Sequence, residues 1–144
     1  MKLLHLADLH IGRKLKGFSL IEDQKYILNE IFNIAQKKQV NGIIISGDGS
    51  SIMAKENIHF AKRYSGGFQP IKADKDTLIW LLPFVRPADV REYHNDFTTS
   101  NYEEMMQTIL KNIDLDEKKV NILVAHQFIT ANGASPERSE SETV

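Results

Sequence analysis

Cysteine is absent from the chain. Disulfide staples, thiolate metal sites and cysteine nucleophiles are therefore excluded, and the composition suits a reducing compartment. Long apolar runs are absent too, since none approaches the ~20 residues of a membrane-spanning helix. The opening Met1-Lys2-Leu3-Leu4-His5-Leu6-Ala7-Asp8 meets a histidine and a carboxylate before the apolar centre of a signal peptide can form. These features predict a soluble, cytoplasmic protein with no membrane association. A strong net charge is also missing: the formal value is −1, so the chain is no polycation. The charge is unevenly spread, however. Residues 1–100 carry 14 basic and 11 acidic side chains, whereas residues 101–144 carry 4 and 8. That asymmetry directs any anionic partner to the N-terminal part. With 144 residues, 42% of them hydrophobic, the chain is expected to form one domain around a modest core.

Leu3 to Ala7 is a short apolar run bounded by Asp8 and Gly12, which reads as a buried strand. A basic loop, Arg13-Lys14-Leu15-Lys16-Gly17, follows. Ser19 and Glu22 then form a capping-box pattern, and Tyr26, Ile27, Ile31, Ile34 and Ala35 recur at helical spacing. Val40 to Ser46 holds Ile43-Ile44-Ile45 without polar alternation, as in a strand covered on both faces of a parallel sheet. Residues 1–48 thus read as a strand–helix–strand unit. Ile58–Tyr64, Phe68–Lys72 and Thr77–Leu82 are short β-like runs separated by turns, and an antiparallel meander ended by Pro83 and Pro87 is expected. Ser100 and Glu103 suggest a second capping box. Met106, Ile109, Leu110 and Ile113 give an amphipathic helix, and Val120 to Ala125 a last strand. Asn132 to Val144 is polar and reads as a loop or frayed tail. Trp80 is expected in the core.

Three of the predicted buried strands end in metal-ligand residue types: Ala7-Asp8-Leu9-His10, Ser46-Gly47-Asp48 and Val124-Ala125-His126-Gln127. In open α/β sheets, ligands bind beyond the carboxyl ends of parallel strands. Asp8 and His10 would share one side if extended geometry continued past the strand. Taken singly, each residue is an ordinary strand-end cap or structural histidine; the coincidence of three such endings points to a metal site. Carboxylate with imidazole suits manganese, iron or zinc. A shared carboxylate can hold two ions ~3.5–4 Å apart for in-line attack on a phosphoester. Arg13, Lys14 and Lys16 follow directly on these residues, which offers phosphate-backbone contact beside the metals or a solvated basic loop. His5, His59 and His94 have no such setting.

The opening segment through Arg13, together with Leu82-Pro83-Phe84-Val85-Arg86-Pro87 and Ile122-Leu123-Val124-Ala125-His126-Gln127-Phe128, resembles the SbcD-type nuclease subunits. These belong to the calcineurin-like metallophosphoesterases. The resemblance implies a layered α/β sandwich with a mixed sheet, present here in part. It implies two divalent ions, manganese above all, held by Asp8, His10, Asp48 and His126, with Asp48 bridging. It also implies DNA as substrate, exonuclease and endonuclease activity in DNA repair, recombination and replication, an SbcC-type ATPase partner, and room for a homodimer. Other phosphoesterases of the same superfamily, and a non-catalytic fragment that binds DNA or a partner, are the rival readings.

The chain also departs from that family. The pattern Gly-Asp-x-x-Asp has Ser51 at its last position, Asn-His-Asp occurs nowhere, and the final Gly-His-x-His is missing. No general acid is therefore assigned. Only nine residues, Gly49 to Asn57, separate Asp48 from the next β-like run, whereas a parallel crossover takes about a dozen or more. Either that run pairs antiparallel or a segment is missing between Asp48 and Gly49. The expectation is the latter, with a C-terminus truncated at Val144 and residues 1–144 forming a partial nuclease domain without appreciable activity.

Overall fold

The computed structural model describes residues 1–46, 57–127 and 129. Its elements run β1 (Leu3–Ala7), β2 (Lys14–Leu15), β3 (Phe18–Ser19), α1 (Ile21–Lys37), β4 (Gly42–Ser46), β5 (Ile58–Phe60), β6 (Ile71–Lys72), β7 (Thr77–Leu82), α2 (Pro87–Arg91), α3 (Tyr102–Lys111) and β8 (Val120–Ala125). One sheet has the order β1-β4-β5, another β6-β7-β8, and β2-β3 forms a separate hairpin. The fold is mixed α/β, as expected.

The side-chain period of two sorts each strand between layers. Ile43 and Ile45 of β4 face α1, where they pack with Leu28 and Ala35. Ile44, between them, points the other way and meets Ile79 and Leu81 of β7. Leu82 of β7 turns away from that contact and joins Val85, Val90, Phe97, Met105 and Ile109. The result is four layers: α1, the sheet β1-β4-β5, the sheet β6-β7-β8, and the α2–α3 pair. Trp80 is 3% exposed, its indole N–H donates to Asn121 Oδ1 at 3.0 Å, and Phe68 packs edge-on against its ring. Its expected core role holds.

β1 and β4 pair parallel, Leu3 opposite Gly42 through Ala7 opposite Ser46. The expected meander is corrected in two places. β5 pairs parallel with β4, Ile43 opposite Ile58, and β7 pairs parallel with β8; only β6 and β7 are antiparallel. A connection from Gly47 to Asn57 suffices because the strands are short. Eleven extended residues reach up to ~36–40 Å, well beyond the return along a five-residue strand. The antiparallel alternative for the run at Ile58 is thereby ruled out. The expected break between Asp48 and Gly49, and the tail from Asn132, lie outside the described residues.

Helix boundaries also shift. Leu20, not Ser19, precedes the first turn of α1, with no side-chain cap; Ser19 is taken up by β3. At α3 the cap is Asn101, one residue past Ser100, and its Oδ1 accepts from the N–H groups of Glu103 and Glu104 at 2.7 and 3.2 Å. A short amide side chain does this as well as serine. Pro87 does not merely end a strand but opens α2, where its missing N–H costs nothing. The inward face of α1 is Leu28, Ile31, Phe32 and Ala35, while Tyr26, Ile27 and Ile34 are exposed. Among the described residues no helix is long and apolar enough to cross a membrane.

Candidate metal centre

The site is built where β1 and β8 end. β1 lies at one edge of its sheet and β8 at one edge of the other. Both ladders run slightly past their strands: the Asp8 N–H donates to the Ser46 carbonyl at 3.2 Å, and the His126 N–H to the Leu82 carbonyl at 3.0 Å. These bonds carry Asp8 and His126 to the same end of the sandwich. His126 Nε2 lies 2.8 Å from Asp8 Oδ1. Two residues from separate sheets thus meet through their side chains. The Asp8 carboxylate remains half open to solvent, whereas the imidazole is mostly enclosed beside the Phe84 ring.

Extended geometry does not persist through Asp8-Leu9-His10. Asp8 has φ 54° and His10 φ 43°, both in the left-handed region that non-glycine residues avoid. The alternation survives by another route. Leu9 and Ile11 pack into the α1 layer, leaving Asp8 and His10 on the exposed side. The Gln24 side chain fixes the turn: its Nε2 donates to the His10 carbonyl at 2.9 Å and its Oε1 accepts from the Gly12 N–H at 2.8 Å. The Arg13 N–H closes back on the His10 carbonyl at 3.1 Å. Gly12, at φ 86°, supplies a conformation that a side chain would resist. Nothing in the sequence singles out Gln24, because a polar residue in the first turn of a helix carries no sign of what it will reach.

Of the four expected ligands, Asp8 and His126 are brought into contact. The His10 imidazole makes no hydrogen bond or ion pair with the described residues. Asp48 lies outside them. Among the described residues no group of three His, Asp or Glu side chains stands close enough to hold an ion. The Asp8–His126 pair still fits metal chemistry. Two adjacent ligands, each ~2.0–2.2 Å from an ion, stand ~3 Å apart, and the observed 2.8 Å is close to that. The hydrogen bond places a proton where an ion would sit, and the imidazole must release that proton to ligate. Its other nitrogen, Nδ1, is buried without a partner among the described residues. The described residues supply a fitting pair, not a complete ion site.

Arg13, Lys14 and Lys16 lie beside this end, on and around the β2–β3 hairpin. All three are exposed and form no ion pair among the described residues. His5 is structural, its Nε2 lying 2.9 Å from the buried Ser46 hydroxyl. His94 pairs with the buried Tyr64 hydroxyl at 2.6 Å, and burial raises that phenol above its ordinary range.

The chain is similar to the SbcD subunit of nuclease SbcCD from Staphylococcus epidermidis, 26% identical over 186 residues that cover 97% of this chain and 49% of the relative. It is similar to the same subunit of Staphylococcus saprophyticus, 25% identical over 188 residues covering 99% and 49%. The chain spans about half the length of these curated relatives. The resemblance to SbcD-type subunits therefore runs along nearly the whole chain. A chain of 144 residues aligned over 186 also leaves at least 42 positions unmatched on its side. No protein-family profile matches.

Proposed function

We propose that the chain is part of a metal-dependent DNA nuclease subunit that hydrolyses phosphodiesters in DNA repair, recombination and replication. The observation that carries this reading is the meeting of Asp8 and His126 at the ends of two strands from different sheets. Likeness to the SbcD subunits of SbcCD nucleases supplies the substrate class. Asp8, His10, Asp48 and His126 are the proposed ligands of two divalent ions, manganese foremost. Such a pair supplies an activated water and neutralises the leaving oxygen. Asp8 and His126 hold donor atoms in register from opposite sheets. Gln24 fixes the turn that carries His10. Arg13, Lys14 and Lys16 contact backbone phosphates and set the position of the DNA rather than read its sequence. An SbcC-type ATPase and a second copy of the chain are the proposed partners, in the cytoplasm.

We further propose that these 144 residues alone have no appreciable activity, and that the positions unmatched in the relatives fall mainly between Asp48 and Gly49. Two carboxylates and two imidazoles leave each ion short of protein donors. Misplacement of a reacting group by ~1 Å already costs ~10²-fold. Three observations support this: Ser51 in place of a carboxylate, the absence of Asn-His-Asp, and the lack of any three-ligand group among the described residues. The test is to purify the defined chain, verify its mass against 16.4 kDa, add manganese, and assay linear duplex and single-stranded DNA beside an Asp8→Ala control. The expected result is no cleavage above the control. Robust manganese-dependent cleavage abolished by Asp8→Ala would overturn the inactivity and retain the nuclease assignment. Cleavage insensitive to that change would remove Asp8 from the site.

A further inference from the structure

The β2–β3 hairpin presents two large apolar side chains to solvent at its tip. Phe18 is 77% exposed and Leu15 60%. They are directly opposite each other in the antiparallel register, so both lie on one face of the ribbon, with Lys14 and Ser19 paired on the other. Lys16 and Gly17 form the two-residue turn, with φ 47° and 88°, both positive as a tight hairpin turn requires. Among the described residues, neither Leu15 nor Phe18 joins a core cluster. The cross-strand pair with Leu15 stabilises the ribbon by no more than about 1 kcal/mol and leaves most of the phenyl ring in solvent. The hairpin and the residue before it also carry Arg13, Lys14 and Lys16, exposed and without an acidic partner among the described residues, and the hairpin leaves the Asp8–His10 turn through the Gln24 clamp.

An exposed aromatic ring on a ribbon that also carries unpaired cations is the combination that holds single-stranded nucleic acid: the cations follow the phosphates and the ring stacks on bases of any identity. A duplex hides its base faces in the stack, so the ring reaches them there only by prying a step apart at a cost of a few kcal/mol, whereas an unpaired base is already open to it. We infer that the hairpin is a single-strand grip whose Phe18 stacks on an unpaired base beside the Asp8–His126 end, giving the chain a preference for single-stranded over duplex DNA. The inference rests on the DNA reading above and adds the strand state that is bound.

The test measures binding of labelled oligo-dT and of a blunt duplex of equal length to the full chain, in EDTA so that no cleavage intervenes. Wild type is expected to bind oligo-dT more tightly. Phe18→Ala should weaken oligo-dT binding about 5- to 150-fold, the range of one lost stacking contact of ~1–3 kcal/mol, with duplex binding unchanged within about twofold. Phe18→Trp should retain oligo-dT binding and show indole fluorescence quenched by it, beyond the response of the wild type with its buried Trp80. Lys14→Gln with Lys16→Gln should weaken both DNAs and flatten the salt dependence. Unchanged oligo-dT binding by Phe18→Ala, equal loss on both DNAs, or full retention by Phe18→Leu would each overturn the stacking role. Duplex binding with no effect of Phe18 would leave the nuclease reading intact while removing this one. Phe18-dependent binding of oligo-dT that Asp8→Ala does not touch, with no cleavage by any longer form of the chain, would do the reverse. Thermal melting checks that the tip variants fold.

Discussion

The two helical layers of the sandwich bury their sheets to different degrees. On the α2–α3 side, Leu82, Val85, Val90 and Met105 are 0% exposed. On the α1 side, the best-covered helix residues, Leu28 and Ala35, retain 8% and 6%, and Tyr26, Ile27 and Ile34 of the same helix are more than half exposed. The candidate ligands Asp8 and His10 and the basic hairpin all belong to the α1 side. The tight layer is the better packed of the two, and the loose layer carries the strained turn and two of the candidate ligands. His126 is the exception that joins them: it is placed by the tight sheet and reaches across to the loose one. Sites need conformations that packing alone would not choose, and such strain persists only where the surroundings over-determine it.

The largest effect that tests this contrast is in the cores. Leu82→Ala is expected to destabilise the chain by about 2–5 kcal/mol, through lost transfer energy and the cavity left behind. Ile34→Ala, on the exposed side of α1, should stay within about 0.5 kcal/mol. Urea unfolding of both variants checks the difference, and comparable losses would erase the contrast between the layers.

A smaller effect is expected at the strained turn. Gln24→Ala removes two hydrogen bonds to the backbone of His10 and Gly12, each contributing about 1 kcal/mol. The Gly12 amide should exchange with solvent markedly faster in the variant, while amides of β7 and β8 keep their protection. Loss of protection across both sheets would mean that the turn is part of the cooperative core.

The smallest concerns pH. Asp89 accepts from the Arg86 guanidinium at 3.1 Å and from the Arg86 N–H at 2.9 Å, and this partnership lowers its pKa below the usual carboxylate value. A carboxylate depressed in the folded state stabilises above its unfolded pKa, and that contribution disappears as pH falls through the folded one. The window therefore lies below ordinary carboxylate titration, at pH under about 4. Arg86 is well exposed, so the gain should not exceed about 1 kcal/mol. Asp89→Asn should lower stability at pH 7 and remove that part of the acid dependence. An unchanged acid limb would show that the pair contributes nothing to folding.

Much of the frame was legible in the sequence because burial leaves a periodic trace. β1 and β8 fall where the apolar runs of Leu3–Ala7 and Val120–Ala125 placed them, and β4 lies inside Val40–Ser46. Pairing direction was not legible. Nothing in Ile58–Phe60 distinguishes a strand that adds parallel to β4 from one that turns back on its neighbour, because direction is settled by partners distant in the chain. Cap positions slipped by one residue: Ser100 and Asn101 are both competent oxygens between which only the local backbone chooses, and Ser19 is drawn into β3, which leaves Leu20 before α1 without a side-chain cap. The meeting of Asp8 and His126 could be anticipated, because both follow buried strands. The left-handed backbone at Asp8 and His10 could not, since neither residue type announces a positive φ. The inward face of α1 was obscured because that helix carries more apolar residues than its sheet can cover.

The Asp8–His126 bond joins residues near opposite ends of the described chain, and its consequence is one of timing. Non-local contacts are the slow ones to form, because chain closure must be met before they reward it. During synthesis the N-terminal part emerges first, so β1, α1 and β4 exist long before β8 does. Until β8 docks beside β7, Asp8 lacks its His126 partner. The site is therefore a record of completed folding: a chain stalled or cut before Val120 lacks β8 and never presents the paired donors.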